Sequence, residues 1–177
     1  MLKAQKIKVR DIAITGVLIT LVFSTTMFIS IPLPFSIHDG GLMHLGNVSL
    51  FIAAIVFDKK KGAIAGAFGM SLFNLLSPLG LVIWAPFTFV IRGVMGYVIG
   101  TIAEKGQGKN IWINIAAIAV GGAVQIAGYY IAEWILYGNP ISPLLSIPGD
   151  VVQIVASSVI ALPLLTILRR YRERFTS

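Results

Sequence analysis

Four apolar segments of the chain carry polar or ionisable residues at helical spacing. Residues three, four, seven or eight positions apart lie on one face of an α-helix, so each set forms a polar stripe. An ionisable side chain inside a membrane span costs at least about 2.5–3.5 kcal/mol on insertion scales, and such residues therefore mark functional sites. The stripes consist of Ser71 and Asn74; Trp84, Thr88 and Arg92; Gln125, Tyr129 and Glu133; and Asp150, Gln153 and Ser157.

The stripes predict one pocket between the helices. They fall in the half of each segment that is farther from the lysine-rich turns, although Arg92, Gln125 and Ser157 reach toward the middle. Hydrogen-bonding groups beside aromatic walls suit a small polar molecule that contains a ring. We therefore predict a site for such a molecule, with walls from Trp84, Tyr129, Tyr130 and Trp134, a covering loop that contains His38, Asp39 and His44, and a further contact from Asn47.

The composition excludes a soluble domain. Of the 177 residues, 56% are hydrophobic and 12% are charged, about half the charged share of an average soluble domain. Lipid, in contrast, can face the surplus apolar surface. We predict an all-α integral membrane protein with a single domain over residues 1–177 and six spans, near 11–31, 42–57, 62–76, 83–103, 111–137 and 149–168. The second span is short for a crossing of roughly 20 residues, so we expect protein to shield part of it.

The basic residues predict the orientation. Six spans place 13 of the 14 lysines and arginines on one side of the membrane and leave none in the opposite loops. Cytoplasmic loops carry such an excess, so we expect both termini in the cytoplasm. The remaining basic residue is Arg92, within the fourth span. The net charge of +7 is thus a sign of topology, and no nucleic-acid partner is expected.

Structural roles compete with ligand binding for several of these residues. Arg92 and Glu133 could form an internal ion pair that fixes the order of the helices. Asp150 could instead be an N-cap or first-turn residue of the sixth span. The other structural alternatives are an interfacial aromatic belt formed by Trp84, Trp134 and Tyr137, and loop bracing by His44 and Asn47.

The first span presents a face of small side chains. Ala13, Gly16 and Thr20 line one side of a helix whose only charged residue, Asp11, stands at its inner end. Small residues let helices approach closely, so we expect a partner helix to dock there. Two further pairs at the same spacing are expected to serve internal packing, namely Gly62 with Gly66 and Gly96 with Gly100.

The sequence lacks the motifs of an enzyme or an ATPase. There is no G-x-x-x-x-G-K-[ST] phosphate loop, no H-E-x-x-H and no G-x-S-x-G. The chain has no cysteine, and we expect neither a metal site nor a cofactor. The inverted repeat of a secondary transporter is also missing. We therefore predict a binding protein that another protein drives; the alternatives are a membrane scaffold without a ligand and a small intramembrane enzyme.

Six short segments follow one another in an order that is typical of a known family. They are GLMHLGN at 41–47, FIAA at 51–54, the lysine turn at 59–61, GAIAG at 62–66, APFT at 85–88 and RGVMG at 92–96. Their order and spacing resemble the substrate-binding S components of energy-coupling factor (ECF) vitamin transporters. The sequence is most similar to the S components for the thiamine precursor hydroxymethylpyrimidine or for pyridoxine, and riboflavin or another B vitamin is a further candidate.

The resemblance implies a function, a location and partners. An S component of a prokaryotic cytoplasmic membrane captures a vitamin from outside, docks on a membrane coupling subunit that carries two ATPase subunits, and topples to release its cargo inside. The family site draws on the first outer loop and the outer halves of helices 4 to 6, and the position of Arg92 is similar to one usually held by Lys or Arg. Docking in the family often uses Ala-x-x-x-Ala on helix 1. Here Val17 follows Ala13 at that spacing, and the nearest small pair is Gly16 and Thr20.

Overall fold

Helices form almost all of the protein. A computed structural model describes the backbone of residues 9–32, 42–79 and 81–176. These residues contain six α-helices joined by turns, short 3-10 segments and one pair of strands. The helices are α1 (Val9–Phe28), α2 (Gly46–Ile52), α3 (Lys59–Leu76), α4 (Ala85–Glu104), α5 (Ile111–Tyr137) and α6 (Ile147–Thr176).

A small antiparallel strand pair precedes α2, which the sequence analysis did not predict. Strand β1 (Ser30–Pro32) pairs with β2 (Leu42–His44), and Ser30 lies opposite His44. The backbone of residues 42–44 is therefore used in strand pairing, and α2 begins at Gly46 instead of near residue 42. We call this end of the helix bundle, where β1 and β2 lie, the hairpin end.

The short helix α2 lies at the centre of the bundle. All of its residues are buried, and it continues as a π-helical turn at Ala53–Phe57. It packs against α1, α3 and α6. Other helices therefore cover both its apolar side chains and its polar ones, Asn47 and Ser49.

The outer faces of the longer helices are apolar and exposed. Val17, Val90, Ile135 and Val159 are each more than 60% exposed, as expected for side chains that face lipid. Among the described residues, four helical stretches are long and apolar enough to cross a membrane: Val9–Phe28, Leu81–Glu104, Ile111–Tyr137 and Ser142–Arg169. The chain is thus an all-α membrane protein, and the count of six spans stays a prediction.

Ion pairs tie the helices together at the opposite end, which we call the basic end because Lys59–61, Lys105, Lys109 and Arg169 lie there. Asp58 caps α3 by accepting a hydrogen bond from the Lys61 backbone N–H at 2.8 Å. The Lys61 ammonium group lies 2.6 Å from Asp58 Oδ2 and 3.2 Å from Asp11 Oδ1. Burial alone would raise the pKa of Asp58, but the hydrogen bonds and charge of Lys61 lower it. The start of α1 is thereby fixed to the turn before α3.

Glycines allow α3 and α4 to pack backbone against backbone. A Cβ atom on Gly96 would lie 2.4 Å from the carbonyl oxygen of Gly62, and one on Gly62 would lie 2.5 Å from Ala54 Cα. Real side chains do not approach backbone atoms so closely. Gly16 differs, because a Cβ atom there would meet no other atom within 4 Å.

This contrast predicts opposite effects of the same substitution. Alanine in place of glycine ordinarily favours a helix by about 1 kcal/mol. We expect Gly96→Ala instead to destabilise the protein by about 1–3 kcal/mol through overpacking, whereas Gly16→Ala leaves stability unchanged or raises it. Thermal unfolding in detergent measures both variants, and a Gly96→Ala protein as stable as the parent would contradict the close packing.

Candidate functional site

A buried arginine lies at the centre of the polar side chains. Arg92 in α4 is 3% exposed. Its Nη1 donates to Asn47 Oδ1 at 2.7 Å and also to Gln125 Oε1. Its Nε donates to the Tyr129 hydroxyl at 3.2 Å, and its guanidinium carbon lies 5.1 Å from the centre of the Tyr129 ring. Charge-assisted hydrogen bonds of this kind offset the cost of removing a cation from water.

Gln125 links this arginine to a carboxylate. Its Oε1 accepts hydrogen bonds from Arg92 and from Asn47 Nδ2, the latter at 3.0 Å. Its Nε2 donates to Asp150 Oδ1 at 2.7 Å. The side chain is fully buried. A neutral amide therefore joins a cation on α4 to an anion on α6, and α2 takes part through Asn47.

The network extends from Arg92 into α3. The Tyr129 hydroxyl lies 3.2 Å from Thr88 Oγ1, which accepts a 2.7 Å hydrogen bond from Asn74 Nδ2. Ser71 on the same face of α3 donates to the Ala85 carbonyl oxygen at 3.1 Å. We use the name polar network for the seven residues joined in this way: Asn47, Asn74, Thr88, Arg92, Gln125, Tyr129 and Asp150.

Aromatic rings cover the polar network on the side of the hairpin end. The Trp84 ring centre lies 6.3 Å from that of Tyr129 and 6.3 Å from that of Tyr137. Trp84 is 6% exposed, whereas Trp134 is 49% exposed and Tyr137 is 42% exposed. An interfacial belt therefore fits Trp134 and Tyr137, but the Trp84 ring faces the protein interior.

His44 and Gln153 form a second buried contact. The Gln153 amide nitrogen lies 3.0 Å from Nε2 of the histidine. Both residues are nearly inaccessible, and the His44 ring centre lies 6.4 Å from that of Phe73. This contact joins the end of β2 to α6, so His44 braces the segment before α2, whereas the Asn47 side chain bonds to Arg92 and Gln125.

Glu133 is buried but is not paired with Arg92. Its Oε2 accepts a 2.9 Å hydrogen bond from the Ser146 hydroxyl, and the hydrogen bonds of the Arg92 guanidinium go to amides, a phenol and the Met95 sulfur. The internal ion pair considered from the sequence is therefore not formed. Asp150 lies in the first turn of α6, which begins at Ile147, so of the two structural positions considered from the sequence it takes the first-turn one and not the cap.

Most of the predicted binding residues meet at one place, and a few do not. Seven of them form the polar network, with Trp84 packed on it, while His44 and Gln153 pair separately and Glu133 pairs with Ser146. Asp39 and His38 lie outside the described residues. Ser146 was missed from the sequence, where its one signal was a hydroxyl shortly before Pro148 and Asp150.

The three residues predicted to dock a partner lie on an exposed face of α1. Ala13, Gly16 and Thr20 are all exposed. The Thr20 hydroxyl donates to the Gly16 carbonyl oxygen at 3.0 Å, within the helix. Its hydrogen bond is thus satisfied internally, and the face presents small groups outward.

An all-helical membrane bundle with a buried, mixed donor and acceptor site defines a binding or transport protein, and comparison with known proteins identifies the family. The model of the ECF-type riboflavin transporter S component matches residues 6–170. The chain belongs to this family of transporter components, as the sequence analysis predicted.

Two relatives extend the comparison. A Pyrococcus woesei protein described as an "uncharacterized protein in gap 3'region" is 32% identical over 136 residues, which cover 77% of this chain and 86% of that protein. The thiamine precursor transporter HmpT of Lactococcus lactis subsp. cremoris strain MG1363 is 25% identical over 162 residues, which cover 92% of this chain and 89% of that protein. The similarity to HmpT agrees with the predicted hydroxymethylpyrimidine type of S component.

Proposed function

We propose that this chain is the substrate-capture subunit of an ECF importer and that it binds a small ring-containing vitamin precursor. Hydroxymethylpyrimidine is the first candidate, pyridoxine the second, and riboflavin or another B vitamin follows. The single observation that carries the proposal is the buried polar network in a member of the S-component family. The similarity to a thiamine precursor transporter supports the choice of ligand.

The charged groups of the site have hydrogen-bonding capacity to spare. Within the described part of the chain, Arg92 Nη2, Asp150 Oδ2 and Glu133 Oε1 make no hydrogen bond. A pyrimidine that carries an amine and a hydroxymethyl group offers ring nitrogens as acceptors for the arginine, and an amine and a hydroxyl as donors for the carboxylates.

The proposed topology follows from the charge distribution. Six spans with both termini in the cytoplasm place the basic end inside and the hairpin end outside, in the cytoplasmic membrane of a prokaryote. The polar network then lies in the outward half of the bundle, where a ligand arrives from outside.

The proposed partners are a membrane coupling subunit and two ATPase subunits. The family supports this assembly, and the sequence has no phosphate loop of its own. The exposed face with Ala13, Gly16 and Thr20 is the proposed docking surface, because small groups admit a partner helix at close range.

Ligand binding is tested by titration of the purified protein with hydroxymethylpyrimidine. We expect saturable quenching of tryptophan fluorescence that is lost in Trp84→Phe and kept in Trp134→Phe, since Trp84 packs on the polar network and Trp134 faces outward. Glu133→Gln should weaken binding by about tenfold or more, because it removes a charged partner. Glu104→Gln, at the basic end, is the matched control. A flat titration across a panel of B vitamins would favour a scaffold without a ligand.

Docking is tested by ATP-driven uptake in vesicles that also contain an ECF module. We expect Gly16→Phe to abolish uptake while it leaves ligand binding intact, because the ring would hold the partner helix away. Val159→Phe is the matched control, since Val159 is 66% exposed on α6. Normal uptake by the Gly16→Phe protein would exclude this face as the docking surface.

A further inference from the structure

A cavity of about 200 Å³ opens at the basic end of the bundle, away from the polar network. It lies between the turn after α4, the first turns of α5 and the last turns of α6. The proposed function assigns no role to this cavity. Its lining consists of Gly108, Lys109, Ile111, Asn114, Leu162, Leu165, Thr166 and Arg169.

The charge of this cavity favours an anion. Lys109 and Arg169 contribute cations, and none of the described residues that line it is acidic. A neighbouring cavity of about 180 Å³ shares Gly108 and Arg169 but is lined by Asp58 and Glu104 as well. Among the described lining residues, the first cavity therefore carries positive charge and no negative charge.

Asn114 adds a buried acceptor to the same wall. The side chain is 4% exposed, and its Nδ2 donates to the Gly108 carbonyl oxygen at 2.8 Å. Its Oδ1 is buried and accepts no hydrogen bond from any residue that the structure describes. Buried acceptors of this kind ordinarily find a donor. A ligand that offers a hydroxyl group as well as a phosphate would supply it.

The turn after α4, which forms one wall of the cavity, packs closely against Arg169. Gly108 has a φ of 57°, and a Cβ atom there would lie 2.0 Å from Arg169 Nη2. A side chain at this position would have to displace the guanidinium group, and the positive φ also favours glycine. The Arg169 guanidinium also donates to the Ile55 carbonyl oxygen at 2.7 Å. Its charge is thus held at a fixed place beside the cavity.

The position of the cavity favours a lipid as the source of the phosphate. Leu162, Leu165 and Ile111 contribute apolar lining, and Trp112 beside them is 75% exposed. Tryptophan is enriched where a protein meets the membrane interface. Basic pockets between helices at the cytoplasmic side of a membrane bind anionic headgroups.

We propose that this cavity binds the headgroup of phosphatidylglycerol. The phosphate lies between Lys109 and Arg169, and a glycerol hydroxyl donates to Asn114 Oδ1. This proposal rests on the orientation given under the proposed function, which puts the basic end at the inner leaflet. It does not depend on which vitamin is bound.

The test compares lipids that retain the full-length protein in native mass spectrometry. Phosphatidylglycerol, phosphatidylcholine and phosphatidylmethanol with identical acyl chains are added to the protein in detergent. We expect phosphatidylglycerol to be retained about thirtyfold more than phosphatidylcholine, as two basic contacts of about fivefold each would give. Lys109→Gln should reduce this preference about fivefold because Arg169 remains, and Lys105→Gln, in the same turn but outside the cavity, should keep it.

Phosphatidylmethanol isolates the role of the hydroxyl, because it keeps the charged phosphodiester and lacks the glycerol. The parent protein should prefer phosphatidylglycerol, and Asn114→Leu should bind both lipids equally. Equal retention of phosphatidylglycerol and phosphatidylcholine, or equal effects of the two lysine substitutions, would overturn the proposal. Displacement of the lipid by soluble glycerol phosphate would assign the site to a free phosphate instead. Vitamin titration of the same samples keeps a failure here distinct from a failure of the proposed function.

Discussion

The structure depends on the hydrogen bonds that compensate the charge of a buried arginine. A cation at 3% exposure in an apolar bundle is costly unless several groups hold it. Arg92 is held by side chains from α2 and α5, and through Gln125 by the Asp150 carboxylate on α6. Because these partners come from separate helices, the arginine fixes how α2, α4, α5 and α6 lie relative to one another. Loss of one partner would leave a buried charge unsatisfied, which costs more than an ordinary hydrogen bond.

Different contacts position the helices at the two ends of the bundle. At the basic end, Lys61 joins Asp58 and Asp11, and glycine contacts bring α3 and α4 together. These features set the helix positions without using the polar network. At the hairpin end, the pairing of β1 with β2 holds His44 beside α6. The contacts at the basic end therefore support a hairpin end at which polar groups converge, an arrangement suited to capture of a ligand.

Much of this was readable from the sequence, for physical reasons that apply to particular residues. Period-four spacing placed Thr88 and Arg92 on one face of α4, and Gln125 and Tyr129 on one face of α5, because helix geometry is regular. The hydrogen-bond partner of each side chain could not be predicted from the sequence, because it depends on how whole helices are rotated relative to one another. Arg92 thus meets Asn47 and Gln125 instead of Glu133, and Glu133 meets Ser146. The β1 and β2 pair was also missed, because three-residue strands carry almost no periodic signal.

The central claim is that the polar network belongs to a ligand-capture site, and the most direct test is to identify what the protein carries when it is extracted. Protein purified gently from cells grown in rich medium is denatured, and the released small molecules are identified by mass spectrometry. A stoichiometric pyrimidine or pyridine vitamin precursor, absent from an Arg92→Met preparation, is the predicted result. Protein that releases no such compound, even after incubation with hydroxymethylpyrimidine and pyridoxine, would contradict the claim.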